Sequence, residues 1–294
     1  MHRILEQMHR HQGKRPPRKT PASVFRTQVW LDNILNTHRI SLTEFESIIR
    51  GDGDTSSLPN RWLRGVATVT PPTVNKIESF FPGSRAIYDI ALYELLTNWT
   101  LTKKKIDQLI GQYRPKDELY AWGFPNNRLM RNQKGAAFIY QQDPGREYPE
   151  WYIPNDGLNG QKSPLSYVLS GANSFVQRSD IFAFMAVLGM AREAETNQND
   201  ADFLSYMADA YRIFPAIARL KVFHKRWEEL YKLLETIFHR SSLSRIVFKV
   251  DKDIIEQQIY AEVFITERHC QPRDPKTFRF IPNDDPIIYA RGMY

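Results

Sequence analysis

The chain of 294 residues reads as a mainly α protein: a small N-terminal domain of four to five short helices, a larger helical domain, and a small α+β segment at the C-terminus. Three observations predict this. Capping residues recur at short intervals before residue 100, each followed by apolar residues at helical spacing. Apolar residues three and four apart dominate residues 181–237. After Arg240 the pattern changes to Ser244–Val250 and Tyr260–Glu267, whose weak alternation fits strands or short helices. A hydrophobic content of 42% with 25% charged residues is that of an ordinary globular protein.

Residues 1–22 form a basic flexible arm. Gly13-Lys14-Arg15-Pro16-Pro17-Arg18-Lys19 has too little apolar side chain to pack, and adjacent prolines oppose a helix. The first 26 residues hold seven Lys/Arg against the single acid Glu6, a net of +6 in a chain whose formal charge is +7. Residues 23–96 are the small domain. From Ser23, the residues Val24, Trp30, Leu31, Ile34 and Leu35 recur as on one helix, which should end near Thr37. Ser41-Leu42-Thr43-Glu44 is a capping box, and Leu42, Phe45, Ile48 and Ile49 are expected to be the buried face of its helix. Gly51-Asp52-Gly53-Asp54 stops that helix. Thr55, Ser56 and Ser57 offer N-cap hydroxyls to a short helix from Leu58 to Arg64, with Pro59 in its first turn and Gly65 closing it. Thr70-Pro71-Pro72-Thr73 opens a fourth helix with Val74, Ile77, Phe80 and Phe81 inward, and Pro82-Gly83 ends it. Ile87–Trp99 reads as a fifth.

Residues 97–240 read as a second helical domain for sensing or oligomerisation. Thr100–Ile110 is a helix carrying Lys103-Lys104-Lys105, and Ser179-Asp180 caps the apolar run Ile181–Ala191. That run is about half of the roughly 20 residues needed to cross a bilayer, so no membrane span is expected. Ala201–Phe214 is a helix, and a longer one is expected from Pro215. Along it Leu220, Phe223, Trp227, Leu230, Leu234 and Ile237 form a narrow seam, which suits either a homodimer through residues 220–237 or a helix buried in its own chain. Residues 241–294 form the C-terminal extension.

The helix, the capping-box helix, the turn, the helix ending Arg61-Trp62-Leu63-Arg64-Gly65 and the proline-capped helix resemble the lambda-repressor-like helix-turn-helix family of the xenobiotic-response-element type. The resemblance covers residues 27–90. It implies that the third helix enters the major groove of double-stranded DNA while its tryptophan packs into the domain. On that basis Asn60 and Arg61 are the candidate base contacts, since arginine matches guanine and asparagine matches adenine in bidentate fashion. Ser56, Ser57, Arg64, Arg50 and Arg85 are candidate phosphate contacts, joined by Lys14, Arg15, Arg18 and Lys19 of the arm. The function this implies is a sequence-specific DNA-binding protein acting in transcriptional regulation.

Two other classes compete with it. Residues 27–96 carry six Lys/Arg against eight acids, a net of −2, which favours an interaction protein of a mobile-element, defence or toxin system that docks onto protein. An enzyme with chemistry in residues 97–294 is the other, but its motifs are missing. Gly157–Ser163 lacks the Gly-Lys-Ser/Thr core of a phosphate-binding loop. Asp52 and Asp54 are not followed by the later acids of a calcium loop. The pairs His224/Glu228 and His269/Cys270 have no third member, and Cys270 is the only cysteine. The aromatic and arginine residues between Tyr113 and Tyr152 read as packed loop side chains. Neither an enzyme nor a cofactor is expected. With no apolar leader at the N-terminus, the expected location is cytoplasmic.

Overall fold

The computed structural model describes residues 19–50, 57–111, 180–260 and 285–290. These residues are mainly helical, with one small two-stranded sheet. In chain order the elements are α1 (Pro21–His38), α2 (Leu42–Arg50), α3 (Leu58–Leu63), α4 (Pro71–Glu78), α5 (Ser84–Tyr88), α6 (Leu92–Leu95) and α7 (Lys103–Ile110). They continue as α8 (Ile181–Thr196), α9 (Asp200–Ala218), α10 (Lys221–His224), α11 (Trp227–Phe238), α12 (Ser244–Val247), β1 (Phe248–Val250), α13 (Lys252–Tyr260) and β2 (Ile287–Tyr289). The strands pair antiparallel, with Lys249 opposite Ile288.

α1 starts at Pro21, inside the segment expected to be arm, because Thr20 and Ser23 cap each other reciprocally and Pro21 stands where no amide partner is needed. Its far end closes on Arg39 in the left-handed region at φ 52°. The capping box at the start of α2 forms as expected: the Ser41 amide donates to Glu44 at 2.6 Å, and the Glu44 amide to the Ser41 hydroxyl at 3.2 Å. Those hydrogen bonds hold the Glu44 carboxyl below its ordinary pKa.

Two cores divide the buried side chains, and α1 serves both. Trp30, Leu31 and Ile34 join Phe45, Trp62, Val69, Val74, Ile77, Phe81 and Tyr88 in a small N-terminal core. Ala22, Phe25 and Val29 belong to the large core, built on α8 and α9 with the side chains of α6, α7, α10, α11 and α13. α8 is apolar almost all round, and from Ile181 to Ala191 every residue is buried. Gly189 is required there, because a Cβ would lie 1.8 Å from Ile110 Cδ1 of α7. Among the described residues no helix is long and apolar enough to cross a membrane.

Three expectations need correction. Residues 87–99 are not one helix. Tyr88 faces the small core while Ile87, Ile90, Leu92 and Tyr93 face the large one, and a break after Tyr88 serves both. Pro215 opens no helix, since α9 runs through it to Ala218. Losing the hydrogen bond there costs about 3 kcal/mol. Burying Phe214 and Ile217 completely, at about 1.5–3 kcal/mol each, offsets that.

Of the two readings of the apolar seam, the helix buried in its own chain is the one the structure shows. Leu220, Phe223, Trp227, Leu230, Leu234 and Ile237 all pack in the large core of their own chain, split between α10 and α11. Ile48 and Phe80, expected inside, are 42% and 44% exposed. Residues 244–250, read as strand or short helix, are one after the other, α12 and then β1, and α13 follows because the Asp251 carboxylate accepts from the Asp253 and Ile254 amides.

Candidate nucleic-acid interface

α3 is a helix of six residues whose position is set from its inner side. Pro59 and Trp62 are buried, and the Trp62 ring meets Trp30 of α1 edge-on at 6.1 Å. Trp30 in turn meets Tyr88 of α5 edge-on at 6.1 Å. The Tyr88 hydroxyl donates to the Val69 carbonyl, and the Val69 amide donates to Thr27 Oγ1 of α1. Burial raises the Tyr88 hydroxyl above its ordinary pKa, so it acts as a donor.

The C-terminal end of α3 is pinned directly on α1. Gln28 Nε2 donates to the Leu63 carbonyl at 2.8 Å. Gly65 has φ +66°, and a Cβ there would lie 2.8 Å from Val24 Cγ1, so glycine serves both the turn and the close approach. The Val66 and Ala67 amides both donate to the Arg61 carbonyl, which closes the turn. Since Val24 is four residues past Thr20, the root of the basic arm lies about one helical turn from the end of α3.

On the outer side Asn60, Arg61 and Arg64 are exposed. Asn60 and Arg64 are four apart and Arg61 and Arg64 three apart, so the three share one face of the helix. Among the described residues no carboxylate or other acceptor meets the guanidinium of Arg61 or of Arg64. Ser57 is exposed at the N-cap, but its hydroxyl caps no amide, which corrects the expected N-cap bond. Lys19 is exposed and immediately precedes the Thr20 cap.

Arg85 is engaged elsewhere. Its Nε donates to Asp89 and its Nη1 to Asn75, each at 2.8 Å, and the Asp89 carboxylate raises its pKa above the ordinary arginine value. The Glu78 carboxylate holds that corner by accepting from the Gly83 and Arg85 amides and the Ser84 hydroxyl. Arg26, one of the seven cations counted near the N-terminus, is spent inside the fold. It donates to Glu94 at 2.8 Å and lies over the rings of Tyr88 and Tyr93, at 5.0 and 5.3 Å from their centroids. The Ser56 position, the Arg50 side chain, and Lys14, Arg15 and Arg18 lie outside the described residues, as do the aromatic segment 113–152 and Cys270.

Sequence reasoning missed how the small core is tied to the body. Asp32 of α1 is buried, and it accepts from Lys225 Nζ at 2.8 Å and from Arg226 Nε. An acid inside the apolar stretch Val29-Trp30-Leu31-Asp32 is the signal that such a partner exists. About two turns nearer the start of α1, Phe25 stacks on Phe223 of α10, with centroids 6.2 Å apart. In the body, His224 packs edge-on against Tyr260 at 5.9 Å, and among the described residues no group of three or more His, Cys, Asp or Glu is gathered to hold a metal. Compared with family models, curated proteins and solved structures, the chain finds no match.

Proposed function

We propose that this chain is a sequence-specific DNA-binding protein, acting as a transcriptional regulator, with α3 as its reading helix. The observation that carries this reading is the outer face of α3 and its C-cap: two arginines and an asparagine, exposed, with both guanidinium groups unpaired among the described residues, on a helix whose orientation Trp62, Gln28 and Gly65 fix. Exposed arginines contribute little to stability, so a rigid platform presenting them serves recognition better than folding. Arg61 and Asn60 would read base edges in the major groove, and Arg64 and Ser57 would hold flanking phosphates. The arm leaves α1 about one turn from the end of α3, where Lys19 and the cations before it can follow the backbone. Arg85 would have to leave Asp89 to contribute, so it ranks below Arg64.

Ile48, Val66 and Phe80, each more than 40% exposed in the small unit, favour docking onto protein as a second reading. Selection from a pool of random-sequence duplexes, followed by mobility-shift measurement, separates the two. An enriched sequence bound more tightly than the starting pool is expected. Recovery of no preferred sequence, with binding no stronger than the pool's, would sink the DNA reading.

A further inference from the structure

The end of α3 and the α10–α11 corner of the body are neighbours around α1, and this juxtaposition extends the interface. Resting on the DNA-binding reading, we propose that Lys221 and Lys225 form a second phosphate-binding edge, holding the duplex backbone beside the groove that α3 enters. Residues 24, 28 and 32 follow one another along one side of α1, each step advancing about 6 Å and turning about 40°. Val24 and Gln28 touch the end of α3, whereas Asp32, with Phe25, touches the corner. The corner therefore lies beside the end of α3, in an adjacent sector of α1, and reaches about one helical turn farther along it.

The chemistry of the corner fits phosphate. Lys221 is exposed and meets no acid among the described residues. Lys225 is 63% exposed on its side chain and, among the described residues, bound only to Asp32, which Arg226 also satisfies. An exposed lysine in such a pair is weakly held, so its ammonium can turn to a phosphate while Arg226 keeps Asp32 neutralised. Of the other acids, Glu229 is held by Arg226 at 3.5 Å and Glu228 points to solvent.

The test uses the full chain and the duplex that the wild type selects. Lys221→Gln with Lys225→Gln should weaken selected and unrelated duplexes alike. The slope of log K against log salt should become shallower by about 2, with base preference unchanged. Lys249→Gln, the same change of charge on β1, should leave the slope as it was. Lys221→Gln alone breaks no ion pair among the described residues and should still remove about 1 from the slope, which keeps the idea testable if Lys225→Gln loosens the fold. A wild-type slope in both lysine variants, while Arg61→Ala still alters base preference, would show that the body stands clear of the DNA and would overturn this inference alone. Failure to select any duplex would overturn it together with the reading it rests on.

Discussion

Four arginines of the body and the two at α3 are used in opposite ways. In the body, Arg192 is buried, bound to the Trp99 carbonyl and 3.0 Å from Glu195, and burial lowers its pKa to about 10. Arg240 reaches Glu195, the Asn98 carbonyl and the Thr100 hydroxyl. Arg212 grips Asp285 through two nitrogens and Asp209 through a third, which ties β2 to α9. Arg226 closes on Asp32. Each of these cations joins elements far apart in sequence, and each needs its carboxylate because an unpaired buried charge is costly. On α3 and at its C-cap, Arg61 and Arg64 join no other element among the described residues. The difference teaches that arginine count says little, while arginine partnership separates cations that hold the fold from those available to a ligand.

The comparison can be broken from either side, beginning with the body. Leu230 is completely buried, so Leu230→Asp places a carboxylate in the large core and should abolish cooperative folding, as read by circular dichroism. A folded monomer obtained from a wild-type dimer would instead restore the seam as an interface between copies. Trp62→Ala comes next. It removes the side chain that bridges α3 to Trp30 and should cost about 3–5 kcal/mol in denaturant melts. A loss below about 1 kcal/mol would mean that Trp62 does not hold the helix.

Removing residues 1–18, which keeps the Thr20 cap of α1, deletes Arg3, Arg10, Lys14, Arg15 and Arg18. It should leave folding intact and flatten the salt dependence of DNA binding by about 4 in slope. An unchanged slope would reduce the arm to a tail.

What was legible in the sequence was local. The Ser41/Glu44 box and the Asp180 cap each act over three residues, and both form as read. The opposite directions of Trp62 and Arg61 were legible too, because adjacent positions on a helix diverge by about 100°. Features that depend on a distant partner were not. Arg26 is lost to Glu94, 68 residues away, and Asp32 meets Arg226 at a separation of 194. The break after Tyr88 reflects two cores competing for one segment, which no periodicity within the segment records. The engagement of Arg85 is a different case, since its i,i+4 spacing from Asp89 carries the signal in the sequence itself.

The central claim, that α3 presents unpaired side chains for direct readout, is tested most directly by Arg61→Ala. Melting and binding to the selected duplex are measured on the same preparation. Because the Arg61 guanidinium meets no protein acceptor among the described residues, the melting midpoint should stay at the wild-type value. Discrimination should fall by about 1–3 kcal/mol at a single base pair and remain intact elsewhere in the site. Wild-type affinity and wild-type base preference in this variant would contradict the account and leave protein docking as the better explanation of the exposed face of α3.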